Sequence, residues 1–166
     1  GGLVEGASNG EGLGNRFLAN IREVDAIVYV LRAFTDDEVT GPADPLEHLR
    51  VVELELTLAD LESVENQIAK RRKSAKADRS LADEVSALDA AEAILAEGTP
   101  LYRSGLDAVQ RALLRPYFLL TNRPVLAVVN IGEDHLDDVA SIVAPVAAEL
   151  AGKAEVLGMC VQLEAE

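Results

Sequence analysis

The sequence predicts an α/β protein, a parallel sheet interrupted by an inserted antiparallel helical hairpin. Three observations lead there. Short β-rich apolar runs occur near both ends of the chain, at Ala26–Leu31, Pro124–Asn130 and Val156–Val161. Helical patterns separate those near the C-terminus, as parallel strands require. Between the first two runs, leucines and valines recur at spacings of three and four over a long stretch, the mark of amphipathic helices.

Each element has its own local signal. Gly1, Gly2, Gly6, Gly10, Gly12 and Gly14 make the start of the chain a loop expected to be mobile. Phe17, Leu18, Ile21 and Val24 then recur at helical spacing. The run at residues 26–31 is short, apolar and bounded by charge, so a buried strand is expected. Gly41, Pro42 and Pro45 punctuate a loop over 36–45. Leu54, Leu58, Leu61, Val64 and Ile68 form one apolar stripe, and Leu81, Val85, Leu88 and Leu95 form a second. Two long antiparallel helices of about 25 residues follow from these stripes, with their tip near 73–79. Gly98-Thr99-Pro100 ends the second helix. A third helical pattern, Leu106, Val109, Leu113 and Leu114, leads to Pro116. Helix signals resume over 136–151 and stop at Gly152. The expected division is a partial nucleotide-binding domain over 1–44 and 117–166, with a helical insertion over 45–116.

Composition narrows the function. Aromatics are 4% of the 166 residues and Trp is absent, so aliphatic side chains must build the core. No apolar run approaches the roughly 18 residues that span a bilayer, and no basic-then-apolar signal peptide opens the chain. The single Cys160 cannot form an internal disulfide, and a reducing, cytoplasmic setting is expected. His48 and His135 lack partners at ligand spacing, so no metal site is expected. The net charge of −14 repels nucleic acid and anionic membranes at long range. One segment runs against it: Lys70, Arg71, Arg72, Lys73, Lys76 and Arg79 stand against the single acid Asp78. It is either a solvated turn or a contact to RNA phosphate. No aromatic interleaves it in sequence, so base stacking is not indicated.

The strand ending at Asn130 is followed by Ile131-Gly132-Glu133. Loops at strand ends in parallel sheets carry nucleotide-binding groups, although an Asn there is commonly just a turn residue. The glycines at 10, 12 and 14 do not fit G-x-G-x-x-G and follow no strand, so a dinucleotide site is rejected.

The string from Gly2 through Leu18, continuing over Ile21–Ile27, resembles the second switch of the YchF family, which stands with the Obg-like P-loop GTPases. The resemblance continues through Arg32, Phe34, Asp36-Asp37, Asp44-Pro45 and Ala59-Asp60-Leu61. It resumes over Pro124–Glu133 and Leu163-Glu164-Ala165, and so covers almost the whole chain. It implies a P-loop NTPase sheet that begins here at the second switch, an internal piece of a longer protein.

The resemblance also implies roles. Gly2 matches the switch glycine whose amide faces the γ-phosphate. Leu3 stands where Ras-like enzymes carry a water-orienting Gln; it can equally be a packing residue. P-loop GTPases carry Asn-Lys-x-Asp where this chain has Asn130 and Glu133, and in the family Asn-x-x-Glu goes with ATP being accepted as well as or better than GTP. Cys160 falls at the last base-contacting loop, or is simply a small buried apolar residue. The implied reaction is Mg²⁺-assisted attack of water on the γ-phosphate of ATP or GTP, with the ribosome as partner and no membrane. The G-x-x-x-x-G-K-[ST] string is absent from these residues, so no nucleotide or Mg²⁺ is expected on this piece alone. The rival reading is a helical interaction module that contacts the ribosome or a protein without nucleotide chemistry.

Overall fold

The computed structural model describes residues 25–33 and 44–160. The expectations for the glycine-rich start, the stretch 17–24, most of the loop 36–45, and the residues Gly2, Leu3 and Leu163–Ala165 lie outside the described residues. The chain divides into two compact units, the first holding the described parts of 26–52 and 124–166 and the second holding 53–123. The divisions fall at Val52/Glu53 and Arg123/Pro124, both displaced toward the C-terminus from the limits 44/45 and 116/117 drawn from the sequence.

The first unit is a three-stranded parallel sheet in the order β1 (Ile27–Arg32), β2 (Val125–Asn130), β3 (Glu155–Met159). Tyr29 pairs with Ala127 and Leu31 with Val129, and all four are buried on one face. Helix α4 (Val139–Leu150) packs against β3 on this side. A Cβ on Gly158 would lie 2.8 Å from methyls of both Val139 and Val143. On the other face Val28, Val30 and Leu157 are 56%, 54% and 48% exposed among the described residues. The strand β1 is therefore buried on one side, not on both as its apolar run predicts, and the burial alternates along it although the residue types do not. Before α4, residues Glu133–Asp138 form a 3₁₀ turn, shortening the helix expected from 136.

The long helix α1 (Pro45–Ala75) has 31 residues. Asp44 begins it by accepting the Leu46 N–H at 2.9 Å, and Pro45, which has no N–H to lose, occupies its first turn. Its first turns belong with the sheet: His48 Nδ1 accepts the Arg32 backbone N–H at 3.0 Å.

The second unit contains the rest of α1, then α2 (Ala82–Ala96) and α3 (Ala108–Leu113). The hairpin is present but unequal, because α2 has only 15 residues. Gly98, at φ +87°, gives the chain after α2 a left-handed residue that glycine adopts without steric cost. Asp107 and Gln110 form a reciprocal capping box on α3, whose Leu106 and Val109 signals overstate its length. The core joins Val64 and Ile68 to Ala87, Leu88, Ala91, Leu95, Leu101, Leu114 and Leu119.

The stripe on α1 needs correction in its first half. Leu54 and Leu58 are 44% and 40% exposed, whereas Glu53, Leu56, Thr57 and Asp60 are buried. The Asp60 carboxylate accepts the backbone N–H groups of Leu120 and Thr121, each at 2.7 Å, and the Thr121 hydroxyl at 2.6 Å. Glu53 accepts the Tyr102 hydroxyl and an Arg103 guanidinium N–H, the latter at 3.0 Å. Paired carboxylates can be buried where unpaired ones cannot, so this face of the helix is polar and interior at once.

Candidate functional site

The carboxyl edge of the sheet gathers the residues singled out for base recognition. Register pairs Arg32 with Asn130 and Asn130 with Met159. The ladder runs on past the strand ends: the Ala33 N–H donates to the Asn130 carbonyl at 3.0 Å, and the Ile131 N–H to the Met159 carbonyl at 2.8 Å. Asn130, the last residue of β2, and Cys160, the residue after β3, therefore lie at the same edge of the sheet. Asn130 is half-buried, and the Cys160 thiol is buried at 5% exposure, the environment of a small apolar side chain.

Glu133 opens the 3₁₀ turn after Gly132 and is exposed, with the His135 N–H closing on the Gly132 carbonyl at 3.0 Å. A carboxylate and, three residues before it, a strand-end amide side chain are the types of group that offer acceptors and donors to a planar heterocycle. Among the described residues, no three His, Cys, Asp or Glu side chains stand together in a metal-holding group.

His48 also lies at this end, hydrogen-bonded to the last residue of β1, and no motif in the sequence marks it. Burial pushes its imidazole below the ordinary 6.5, and the Arg32 guanidinium adds to the push. Its Nδ1 accepts a hydrogen bond, so the neutral form with the proton on Nε2 fits the geometry.

The basic segment lies at the turn between α1 and α2, and all six cations are exposed. They are not equivalent. Arg72 donates to Asp89 at 2.9 Å, and the Arg71 guanidinium lies 5.6 Å from the centre of the Tyr117 ring. Among the described residues no ion pair holds Lys70, Lys73, Lys76 or Arg79. Asp78, the one acid in the segment, accepts the Ser80 N–H and hydroxyl. Those bonds hold its carboxyl below the usual range.

No family model matches the chain. It is 40% identical over 172 residues to the ribosome-binding ATPase YchF of Bacillus subtilis, covering 99% of this chain and 47% of that protein. It is 41% identical over 137 residues to Obg-like ATPase 1 of Oryza sativa subsp. japonica, covering 80% of this chain and 35% of that one. The solved structure of the Schizosaccharomyces pombe YchF GTPase superposes with a TM-score of 0.75 at 28% identity, over 92% of this chain and 44% of that chain. The chain spans about half the length of the curated relatives that it matches.

Proposed function

The chain belongs to the YchF/Obg-like ATPase family over the segment that it spans, and on that premise we propose that it supplies two parts of a ribosome-associated P-loop NTPase. One is the base-reading edge of the nucleotide domain; the other is a helical arm that contacts RNA. The substrate is ATP, with GTP accepted as well, and the reaction is attack of water on the γ-phosphate. The observation that carries the reading is the likeness to ribosome-binding ATPases along 99% of the chain, with Asn130 and Glu133 at the carboxyl edge of a parallel sheet. Asn130 orients the base, Glu133 reads its edge, and the Cys160 segment backs it. Gly2 and Leu3 retain the roles of γ-phosphate amide and apolar substitute for the water-orienting side chain.

Base choice follows from hydrogen-bond geometry. Guanine offers a ring N–H and an amino group to one carboxylate, and an Asp at position 133 would be one carbon shorter than Glu133. Adenine has no such ring N–H. In a protein of the relatives' length, Glu133→Asp is therefore expected to shift preference toward GTP. A hydrogen bond to a charged acceptor is worth about 1.5–3 kcal/mol, so the ratio of affinities should move by about tenfold or more. Titration calorimetry with both nucleotides checks this, and unchanged relative affinities would remove Glu133 as the reader. The 166 residues carry no G-x-x-x-x-G-K-[ST] string, so this chain by itself is expected not to retain ATP at micromolar concentration.

A further inference from the structure

A nucleobase has an edge and two faces. Asn130 and Glu133 are groups for the edge, since amides and carboxylates bond in the plane of the ring. A face offers no directional donor or acceptor and is covered by apolar or planar side chains. The loop after β2 holds few such side chains. Ile131 is fully buried at 0% exposure, with its N–H tied to the Met159 carbonyl at 2.8 Å, and Gly132 has no side chain. The next six residues, Glu133-Asp134-His135-Leu136-Asp137-Asp138, form the 3₁₀ turn, and every one is exposed. Four are acids, and Leu136 is the single apolar side chain of the turn, at 40% exposure.

Single exposed leucines are ordinary on protein surfaces. The register of this turn gives Leu136 a particular place. A 3₁₀ helix has three residues per turn, so side chains at i and i+3 stand in line, about 6 Å apart along the axis. Glu133 and Leu136 are such a pair. Asp134 and Asp137 share a second side of the turn, and His135 and Asp138 the third. Glu133 and Leu136 therefore have one side to themselves, a carboxylate followed by an isobutyl group, in line with each other at the carboxyl edge of the sheet.

We propose that Leu136 is a binding shelf for the nucleobase, its side chain lying against one face of the ring whose edge Glu133 reads. This rests on the reading that Asn130 and Glu133 meet the base, and adds the group that fixes the plane of the ring. A carboxylate alone bonds a ring edge at many tilts and shares it with water. An apolar surface beside it confines the ring to one plane and excludes water, which strengthens the edge bonds. Leucine also avoids setting a charge against the face of an aromatic ring, which is negative; any of the acids in the turn would do so. The contact is blind to the edge, so it serves adenine and guanine alike.

The test uses a protein of the relatives' length, with affinities for ATP and GTP read by titration calorimetry. Leu136→Ala should weaken both nucleotides about fivefold, the part of full leucine burial that 40% exposure leaves to be gained, and keep their ratio within about twofold. Leu136→Phe puts a larger, planar face on the same side of the turn and should tighten both by about threefold or more. Such a gain cannot come from a damaged fold. Glu133→Asp moves the ratio instead, so the two positions fail separately. If Leu136→Ala changes neither affinity, the shelf is overturned, whatever Glu133→Asp does. If it changes the ratio, Leu136 touches the edge and not the face; if both Leu136 variants weaken binding, the leucine only holds the turn. Either result overturns the proposal. If the parent binds neither nucleotide, the base-reading premise fails and the shelf fails with it.

Discussion

Gly158 in the middle of β3 has almost no space above its Cα. An added methyl would meet Val139 and Val143 at 2.8 Å and Ile131 at 3.0 Å, and all three contacts are branched side chains with little room to turn. Gly158→Ala is expected to destabilise the sheet unit by about 1–3 kcal/mol, the cost of overpacking. Thermal denaturation checks this, and Gly158→Ala with Val143→Ala should recover part of the loss. His48 makes a second residue-level prediction. Its folded pKa lies below 6.5, so the unfolded chain binds the proton more readily, and stability must fall as pH drops from 6.5 through the folded value. For one proton the slope is at most about 1.4 kcal/mol per pH unit. His48→Asn keeps an acceptor for the Arg32 N–H but does not titrate. Unfolding midpoints measured from pH 7.5 to 5 should be flatter for this variant than for the parent. Neither residue was legible beforehand. A glycine in a strand pattern and a histidine on a helix announce nothing until the chain that packs on them is known.

Helices and strands were legible in proportion to how far local pattern controls them. Short, β-rich apolar runs bounded by charge or proline place both β1 and β2, because strands of this length declare themselves by residue type and length. The stripe on α1 misled in its first half for a physical reason. Hydrophobicity marks a buried face only while burial is apolar, and here the interior positions include Glu53, Thr57 and Asp60. Asp60 is the clearest instance, since its carboxylate accepts three hydrogen bonds from Leu120 and Thr121. Asp60→Ala should cost about 3 kcal/mol or more, because two buried backbone N–H groups lose their acceptor along with the charge-assisted bonds. Asp60→Asn, which retains one oxygen, should lose less. Urea denaturation of the three proteins gives the ranking. The capping box on α3 shows the complementary limit: Asp107 and Gln110 mark where a helix starts, but not that it stops within two turns.

On the scale of the whole molecule, charge separates into a local and a global part. The six cations of the segment 70–79 sit in a chain with 29 acids and 15 bases, so the overall field opposes RNA. At physiological salt the screening length is about 8 Å, which leaves contact to the nearest charges. Alanine at Lys70, Arg71, Arg72, Lys73, Lys76 and Arg79 is expected to weaken co-sedimentation with ribosomes. It should also flatten the salt dependence, because fewer counterions are released. Arg72 and Arg71 already serve Asp89 and Tyr117, so the four remaining cations should carry most of the slope. If replacing those four changes nothing, the segment is a solvated turn. The sequence located this cluster but not its contact with Tyr117, which is some forty positions further along the chain and meets Arg71 only through the fold.

The polar seam of α1 has one more consequence. A seam of leucines alone tolerates slippage, because moving a helix by three or four residues replaces one leucine contact with another of nearly equal energy. Carboxylates at Glu53 and Asp60 admit no such exchange. Each requires particular donors, Tyr102 with Arg103 and the amides of Leu120 and Thr121, and a slip would strand a buried charge. The helix is thereby locked to a single alignment with the segment 100–121. An arm meant to present its end at a fixed place can be built this way, since its length is then set by two discrete latches rather than by a continuous greased track.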